Sequence, residues 1–260
     1  MAIQGLTMHG EDTPLALSLG GFGFSVASTL LPDGSHSKVP RSVGSRAARD
    51  RLVSHLLSRS RRPDGSSVSG LCNIHSEDHR WNVVYDSLGK PHLNHPESSW
   101  PAVSMSYSGG RLWVAVGGSS VRLGLDVASP EDFTGDYPFS RAFTERDWSA
   151  LPEGFETYTP RACAFLWSLK EAAVKCIGSG FHRFGPWEMS VQRATGKGEK
   201  SRFRVCFHAL DAQLAQVLDS LPVMAAAWPA GESWLALACC GRSAAAPLRR
   251  LLLHRRSAIP

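Results

Sequence analysis

The sequence predicts an α+β fold in which two halves, each mixing helix with meandering strands, meet near Ser119–Ser120. Three observations lead there. Short β-branched and apolar runs recur between turn residues from Trp81 to Val127, three segments read as helices rather than strands, and strand and helix patterns occur on both sides of the midpoint. With 260 residues, either half has enough interior to fold without disulfide staples.

Taken in order, the first forty residues are poor in charge, and Gly20-Gly21-Phe22-Gly23 lacks the third glycine of a dinucleotide loop. From Arg46 to Leu57 the spacing predicts a helix with Leu52, Val53, Leu56 and Leu57 as its apolar stripe, closed by the turn-rich Ser60–Gly65. Trp81–Asp86 reads as a strand, Gly89-Lys90-Pro91 as a turn, and Val103–Ser108 as a strand. Gly109-Gly110 signals a hairpin into Leu112–Val116, followed by a strand at Val121–Val127. A long helix is expected over Tyr158–Cys176, stopped by Gly178 and Gly180. Beyond it, strands at Ser201–His208 and Trp234–Cys240 flank a helix at Leu210–Leu218.

The chemistry is concentrated in two segments. In a helix, Trp167, Lys170, Glu171, Val174 and Lys175 fall along one stripe, so a carboxylate stands between two ammoniums. Such a face suits a polyphosphate held with a divalent metal, the acid taking the hard cation and the lysines the phosphate oxygens. An isolated Glu171–Lys175 pair would be an ordinary surface ion pair. Upstream, however, the apolar strand Val121–Val127 delivers a single acid, Asp126, at its end.

Gly124-Leu125-Asp126-Val127 followed by Trp167-Ser168-Leu169-Lys170-Glu171-Ala172-Ala173-Val174-Lys175 resembles the signature pair of the 4′-phosphopantetheinyl transferases, specifically the two-lobed type that activates surfactin synthetase. Gly89-Lys90-Pro91, the Ser104-Met105-Ser106-Tyr107-Ser108 strand, Phe143–Trp148 with its acid, and the basic helix at Arg46–Arg49 extend the resemblance.

The resemblance implies two similar lobes related by a pseudo-twofold axis, residues 1–119 and 120–260, with the active cleft between them. It implies magnesium-dependent transfer of the phosphopantetheine arm of coenzyme A to a serine of apo acyl or peptidyl carrier proteins, releasing adenosine 3′,5′-bisphosphate. The carriers would be domains of fatty-acid, polyketide or non-ribosomal peptide synthases. Asp126 and Glu171 then become the metal carboxylates, Lys170 and Lys175 the pyrophosphate contacts, and Lys90 and Arg46 the cations for the coenzyme's phosphates. Ser106 and Tyr107 become further phosphate donors, and Glu145 a supporting metal ligand or the catalytic base; with Glu171 and Lys175 it completes the catalytic set. Two positions depart from the family pattern. Ala128 stands where many relatives have a second acid, and Tyr107 where a histidine is usual. The alternative these departures raise is a catalytically weakened relative that binds coenzyme A or a carrier protein.

Composition narrows the other classes. At 43% hydrophobic and 20% charged, the chain is an ordinary globule. No apolar run is long enough to span a bilayer, and Glu11 and Asp12 occupy the place of a signal peptide's basic residues, so a cytoplasmic monomer without membrane contact is expected. Five arginines after Cys240 account for the net charge of +5, which leaves the body neutral and argues against a nucleic-acid binder. A second basic block, Ser35–Arg62, has a use if the ligand is as anionic as coenzyme A. The six cysteines show no C-x-x-C spacing and are expected to be reduced; neither Cys239-Cys240 nor His92-x-x-His95 has a second pair at suitable spacing, which argues against a structural zinc site. Asp147 is expected at the surface.

Overall fold

The computed structural model describes residues 15–19, 22–31, 43–59, 83–93, 101–135, 138–181, 185–194, 202–208, 216, 218 and 221–241. Strands β1 (Leu15–Leu19), β2 (Phe22–Leu30), β5 (Ala102–Ser108) and β6 (Arg111–Gly117) form an antiparallel sheet ordered β1-β2-β6-β5. Helix α1 (Val43–Arg59) covers its outer face, and the small hairpin of β3 (Val83–Tyr85) and β4 (Pro91–Leu93) lies beside it. The second sheet, β7-β11-β10-β9-β8, comprises β7 (Val121–Ala128), β8 (Met189–Arg193), β9 (Arg202–Phe207), β10 (Val223–Ala230) and β11 (Ser233–Gly241). Two short helices, α2 (Phe139–Ala142) and α3 (Glu145–Ser149), lead into α4 (Pro160–Ile177), which packs on that sheet's outer face.

The inner faces of the two sheets pack against each other. Phe24, Val26, Trp113 and Ala115 of the first meet Leu123, Leu125, Val127, Leu235 and Leu237 of the second, so the order through the molecule is helix, sheet, sheet, helix. Period-2 alternation explains this arrangement: Leu112, Val114 and Val116 face α1 while Trp113 and Ala115 face the other sheet, which is why β6 reads as a nearly continuous apolar run. The mixed α+β character agrees with the sequence expectation. The chain passes from one sheet to the other between Gly117 and Val121.

The edges of the two sheets meet where β5 lies alongside β7. Instead of pairing backbone to backbone, β5 presents hydroxyls: Ser104 Oγ accepts from Leu125 N at 2.8 Å and Ser106 Oγ from Val127 N at 3.2 Å. Two serines at strand period thus satisfy two alternate edge donors of β7, groups that would otherwise be buried and unpaired.

On the opposite face of β7, α4 approaches closely. A Cβ on Gly124 would lie 1.9 Å from the Ala172 carbonyl oxygen and 2.5 Å from Cys176 N, both backbone atoms. Gly124→Ala is therefore expected to push α4 off β7 and to destabilise the fold by about 1–3 kcal/mol or more. Denaturant unfolding should show a lower midpoint with an unchanged m value; a midpoint equal to that of the parent would contradict the close approach.

Several expected elements occur with shifted ends. The helix read at Arg46–Leu57 spans Val43–Arg59, the one read at Tyr158–Cys176 spans Pro160–Ile177, and of the Trp81–Asp86 strand Val83–Tyr85 forms β3, Trp81 and Asn82 lying outside the described residues. Most of the Leu210–Leu218 helix, Lys38, Arg41, Arg61 and Arg62 of the Ser35–Arg62 basic block, and the arginine-rich tail lie outside the described residues.

Candidate active site

A cleft of about 750 Å³ opens where the two sheets' edges meet, lined by the β3–β4 turn, the β5–β6 hairpin, the end of β7 and one stripe of α4. Three charged side chains converge in it. Asp126 comes from β7, buried at 3% exposure; Glu171 and Lys175 come from successive turns of α4. Lys175 Nζ donates to Asp126 Oδ1 at 2.7 Å and stands 3.4 Å from Glu171 Oε1, so a single ammonium serves two carboxylates. Ser106 donates its hydroxyl proton to Asp126 Oδ1 at 2.9 Å, and Trp167 Nε1 donates to Glu171 Oε2 at 2.8 Å.

Helix geometry sorts the motif. Residues 167, 171 and 175 form the ladder that faces the cleft, whereas position 170 is turned about 100° from 171. Lys170 accordingly points into the core, fully buried. Its Nζ donates to Asp147 Oδ2 at 2.7 Å and to the carbonyls of Ala142 and Pro186 at 2.8 and 2.9 Å. This corrects two expectations: Lys170 is a structural ion-pair partner rather than a pyrophosphate contact, and Asp147 is a buried acid rather than a surface one. Asp147 also accepts from Thr144 N and Val191 N, tying α3 to β8.

The N-terminal cap of α4 is Thr159, whose Oγ1 accepts from Ala162 N, and its C-terminus ends on Gly178 at φ +80°. Its last carbonyls are capped by cations. Lys90 Nζ donates to the carbonyls of Lys175 (2.7 Å), Cys176 (2.8 Å) and Leu123 (3.2 Å), and the Arg122 guanidinium donates to those of Cys176 and Ile177. Lys90 is held there by the turn at Gly89 (φ +81°), around which Asp86 accepts from Leu88 N and Lys90 N. The Lys90 stem lines the cleft, but its ammonium is committed to α4, which corrects its expected role as a phosphate cation. Burial pushes that ammonium down to about 8.

Three other expected residues take distinct places. Tyr107 lines the cleft; burial, then Tyr85, pushes its phenol up to about 12, so it remains a neutral donor. Arg46 is exposed on α1 and absent from the cleft lining. Glu145 is likewise outside that lining: exposed on α3, it accepts from the Tyr158 hydroxyl at 3.2 Å. Ala128 shares Asp126's face, as the strand period requires, and lines the cleft. Glu131 and Asp132, from the short helical turn Pro130–Phe133, line it as well; the capping box at Ser129, Ser-x-x-Asp, was the readable signal for that turn.

The electrostatics follow from the crowding. Burial, then the nearby Glu171 carboxylate, pushes Asp126 up to about 6, against the opposing pull of Lys175. Burial works to lower Lys175, but Asp126 and Glu171 outweigh it and hold its ammonium above the ordinary lysine range. Two carboxylates and one ammonium therefore share a buried corner that lacks positive charge. Such a corner is ready for a cation and for the phosphates that accompany one.

Residues 122–229 match the family model of the 4′-phosphopantetheinyl transferase superfamily. The matched stretch contains Asp126, Glu171 and Lys175, runs from β7 through α4 to β10, and leaves the first sheet outside it. No curated protein matches the chain.

Proposed function

We propose that the protein is a 4′-phosphopantetheinyl transferase that moves the phosphopantetheine arm of coenzyme A to a serine of an apo acyl or peptidyl carrier protein. The observation that carries this reading is the convergence of Asp126, Glu171 and Lys175 in one cleft, all within the stretch that matches the superfamily.

In this reaction the carrier's serine oxygen forms a bond to the phosphorus that bears the pantetheine arm. The bond from that phosphorus to the bridging oxygen breaks, and adenosine 3′,5′-bisphosphate leaves with the electron pair. Lys175 stands where a pyrophosphate next to Asp126 would lie, and its ammonium offsets charge gathering on the leaving group. Glu171 is the carboxylate positioned to receive the serine proton, its orientation set by Trp167. Ser106 keeps its proton on Asp126 and acts by holding that acid rather than by touching phosphate.

Magnesium suits this donor set. Among the described residues no group of three or more acids, histidines and cysteines gathers to form a closed cage. Asp126 and Glu171 would hold the ion, with water and phosphate oxygens completing its shell, as this ion usually requires. Both hydrogen bonds recorded for Asp126 fall on Oδ1, which leaves Oδ2 for that purpose among the described residues. When bound, the ion would neutralise pyrophosphate charge and polarise the phosphorus.

The direct test is mass spectrometry of an apo carrier protein after incubation with coenzyme A and magnesium: the carrier should gain one phosphopantetheine arm. Ala128 and Tyr107, which stand where an acid and an imidazole are common in the family, favour the second reading of a binding module. Tight coenzyme A binding with no mass gain over a panel of carriers would establish that reading instead.

The acid at Asp126 also sets a pH dependence. Below about 6 it gains a proton and loses the charge a cation needs, so the magnesium concentration giving half-maximal rate should rise steeply as pH falls through that value and stay level above it. A half-saturating concentration constant from pH 5 to 8 would refute Asp126 as a ligand.

A further inference from the structure

Five of the six cysteines lie among the described residues, and all five are free thiols. Among the four buried ones, Cys176 in the last turn of α4 and Cys240 in β11 bring their sulfurs to 3.5 Å. The contact has a structural origin. Strand alternation turns Cys240 toward α4 and Cys239 toward the first sheet, where the Cys239 thiol donates to the Leu19 carbonyl at 3.7 Å. Gly124 lets the end of α4 settle on β7, and the Cys176 thiol donates to the carbonyl of Arg122, the residue of β7 that pairs with Cys240.

Two cations stand beside the pair. Lys90 Nζ and Arg122 Nε both donate to the Cys176 carbonyl, at 2.8 and 3.1 Å, and Arg122 Nη2 donates to that of Ile177. Their charge reaches the sulfurs. The bond from Cys176, helped by Arg122 and Lys90, outweighs burial and brings the Cys240 thiol below its ordinary range, while burial and then Cys240 hold Cys176 above it. Elsewhere burial wins: it pushes the Cys163 and Cys239 thiols up to about 12. Cys240 is thus the sulfur with most thiolate character, and Cys176 is its immediate neighbour. Lys175, Gly178 and the Lys90 stem line the cleft, so the pair lies behind its wall. Exposures of 0% and 2% close it to a protein reagent, but a hydroperoxide is little larger than water.

We propose that Cys240 and Cys176 are a redox pair that a hydroperoxide converts to an intramolecular disulfide, fastening the last turn of α4 to β11. The Cys240 thiolate attacks one peroxide oxygen, the O–O bond breaks, and hydroxide leaves and recovers the proton the thiol had lost, which makes Cys240 a sulfenic acid. The Cys176 sulfur, already in contact, then attacks the Cys240 sulfur. The S–S bond forms, the S–O bond breaks, and the oxygen leaves as water with the Cys176 proton. Two thiols have given up two electrons, and hydrogen peroxide has become two waters. None of this depends on the reaction catalysed in the cleft.

For the test, full-length protein is reduced, exposed to hydrogen peroxide, alkylated in denaturant and mapped by mass spectrometry. The expected product is a linked peptide joining Cys176 to the Cys239-Cys240 segment, two hydrogens lighter than its thiol forms and separated again by dithiothreitol. Cys239→Ser should keep the link and Cys240→Ser should abolish it. In Cys176→Ser, Cys240 should instead become the sulfenic acid, captured by dimedone or carried on to the sulfinic acid. The link closes a loop between residues 64 apart, so the thermal unfolding midpoint of the oxidised parent should exceed that of the reduced parent by about 5–15 °C. That shift and the parent's own peptide map decide the matter if a serine variant does not fold. No linked peptide in the parent, a link kept in Cys240→Ser or lost in Cys239→Ser, a Cys240 that stays a free thiol in Cys176→Ser, or an oxidised parent whose midpoint does not rise would overturn the assignment.

Discussion

Glu171→Gln is expected to lower the rate of carrier modification by about 10²- to 10³-fold while leaving the unfolding transition where it is. The side chain is half-buried on the cleft ladder of α4, and the amide oxygen of glutamine still accepts from Trp167 Nε1, so shape and orientation survive. On the proposed mechanism, what disappears is one of the two charges that would draw in a cation, together with the acceptor assigned to the serine proton. Lys175 also loses one of its two carboxylates and settles on Asp126 alone. Single-turnover mass spectrometry at saturating magnesium separates this from a binding defect. A rate within a factor of about three of the parent under those conditions would remove Glu171 from the chemistry and, with it, the mechanism proposed for the cleft.

The residues that sequence reasoning reached are those whose role depends on short spacing. Asp126 at the end of an apolar strand and Glu171 and Lys175 four apart on a helix are fixed by local periodicity, and the structure brings all three together. Lys90, Ser106 and Lys170 were singled out as chemical groups, but their partners come from segments 16 to 86 residues away, which periodicity does not reveal. Ser106 looked like a phosphate donor because no local pattern shows that β5 must satisfy the edge of β7. The packing of the two sheets was hidden for a related reason. Strand β10, Val-Met-Ala-Ala-Ala-Trp-Pro-Ala, shows little alternation because both faces of its sheet are covered, by α4 on one side and the first sheet on the other. Cys176 and Cys240 carried no pairing signal, because the contact between them joins residues 64 apart.

Lys170→Met should unfold the protein more readily, by about 3–5 kcal/mol, and leave the Michaelis constant for coenzyme A unchanged in whatever remains folded. Nothing of Lys170 is exposed, and its ammonium answers Asp147 and two carbonyls at once. Burial presses the Lys170 ammonium toward its neutral form while Asp147 holds it charged. Methionine replaces the stem but leaves Asp147 with only the donors of Thr144 and Val191, and leaves the carbonyls of Ala142 and Pro186 without that donor. Asp147→Leu added to Lys170→Met should recover a large part of the loss, since removing both charges is far less costly than removing one. A phosphate-binding lysine would behave in the opposite way: the unfolding midpoint would hold, the constant for coenzyme A would rise tenfold or more, and the second substitution would rescue nothing. The measurement therefore decides which face of α4 this residue serves, and hence whether the five-residue stripe read from the sequence is one functional surface or two ladders, with 167, 171 and 175 in the cleft and 170 and 174 in the core.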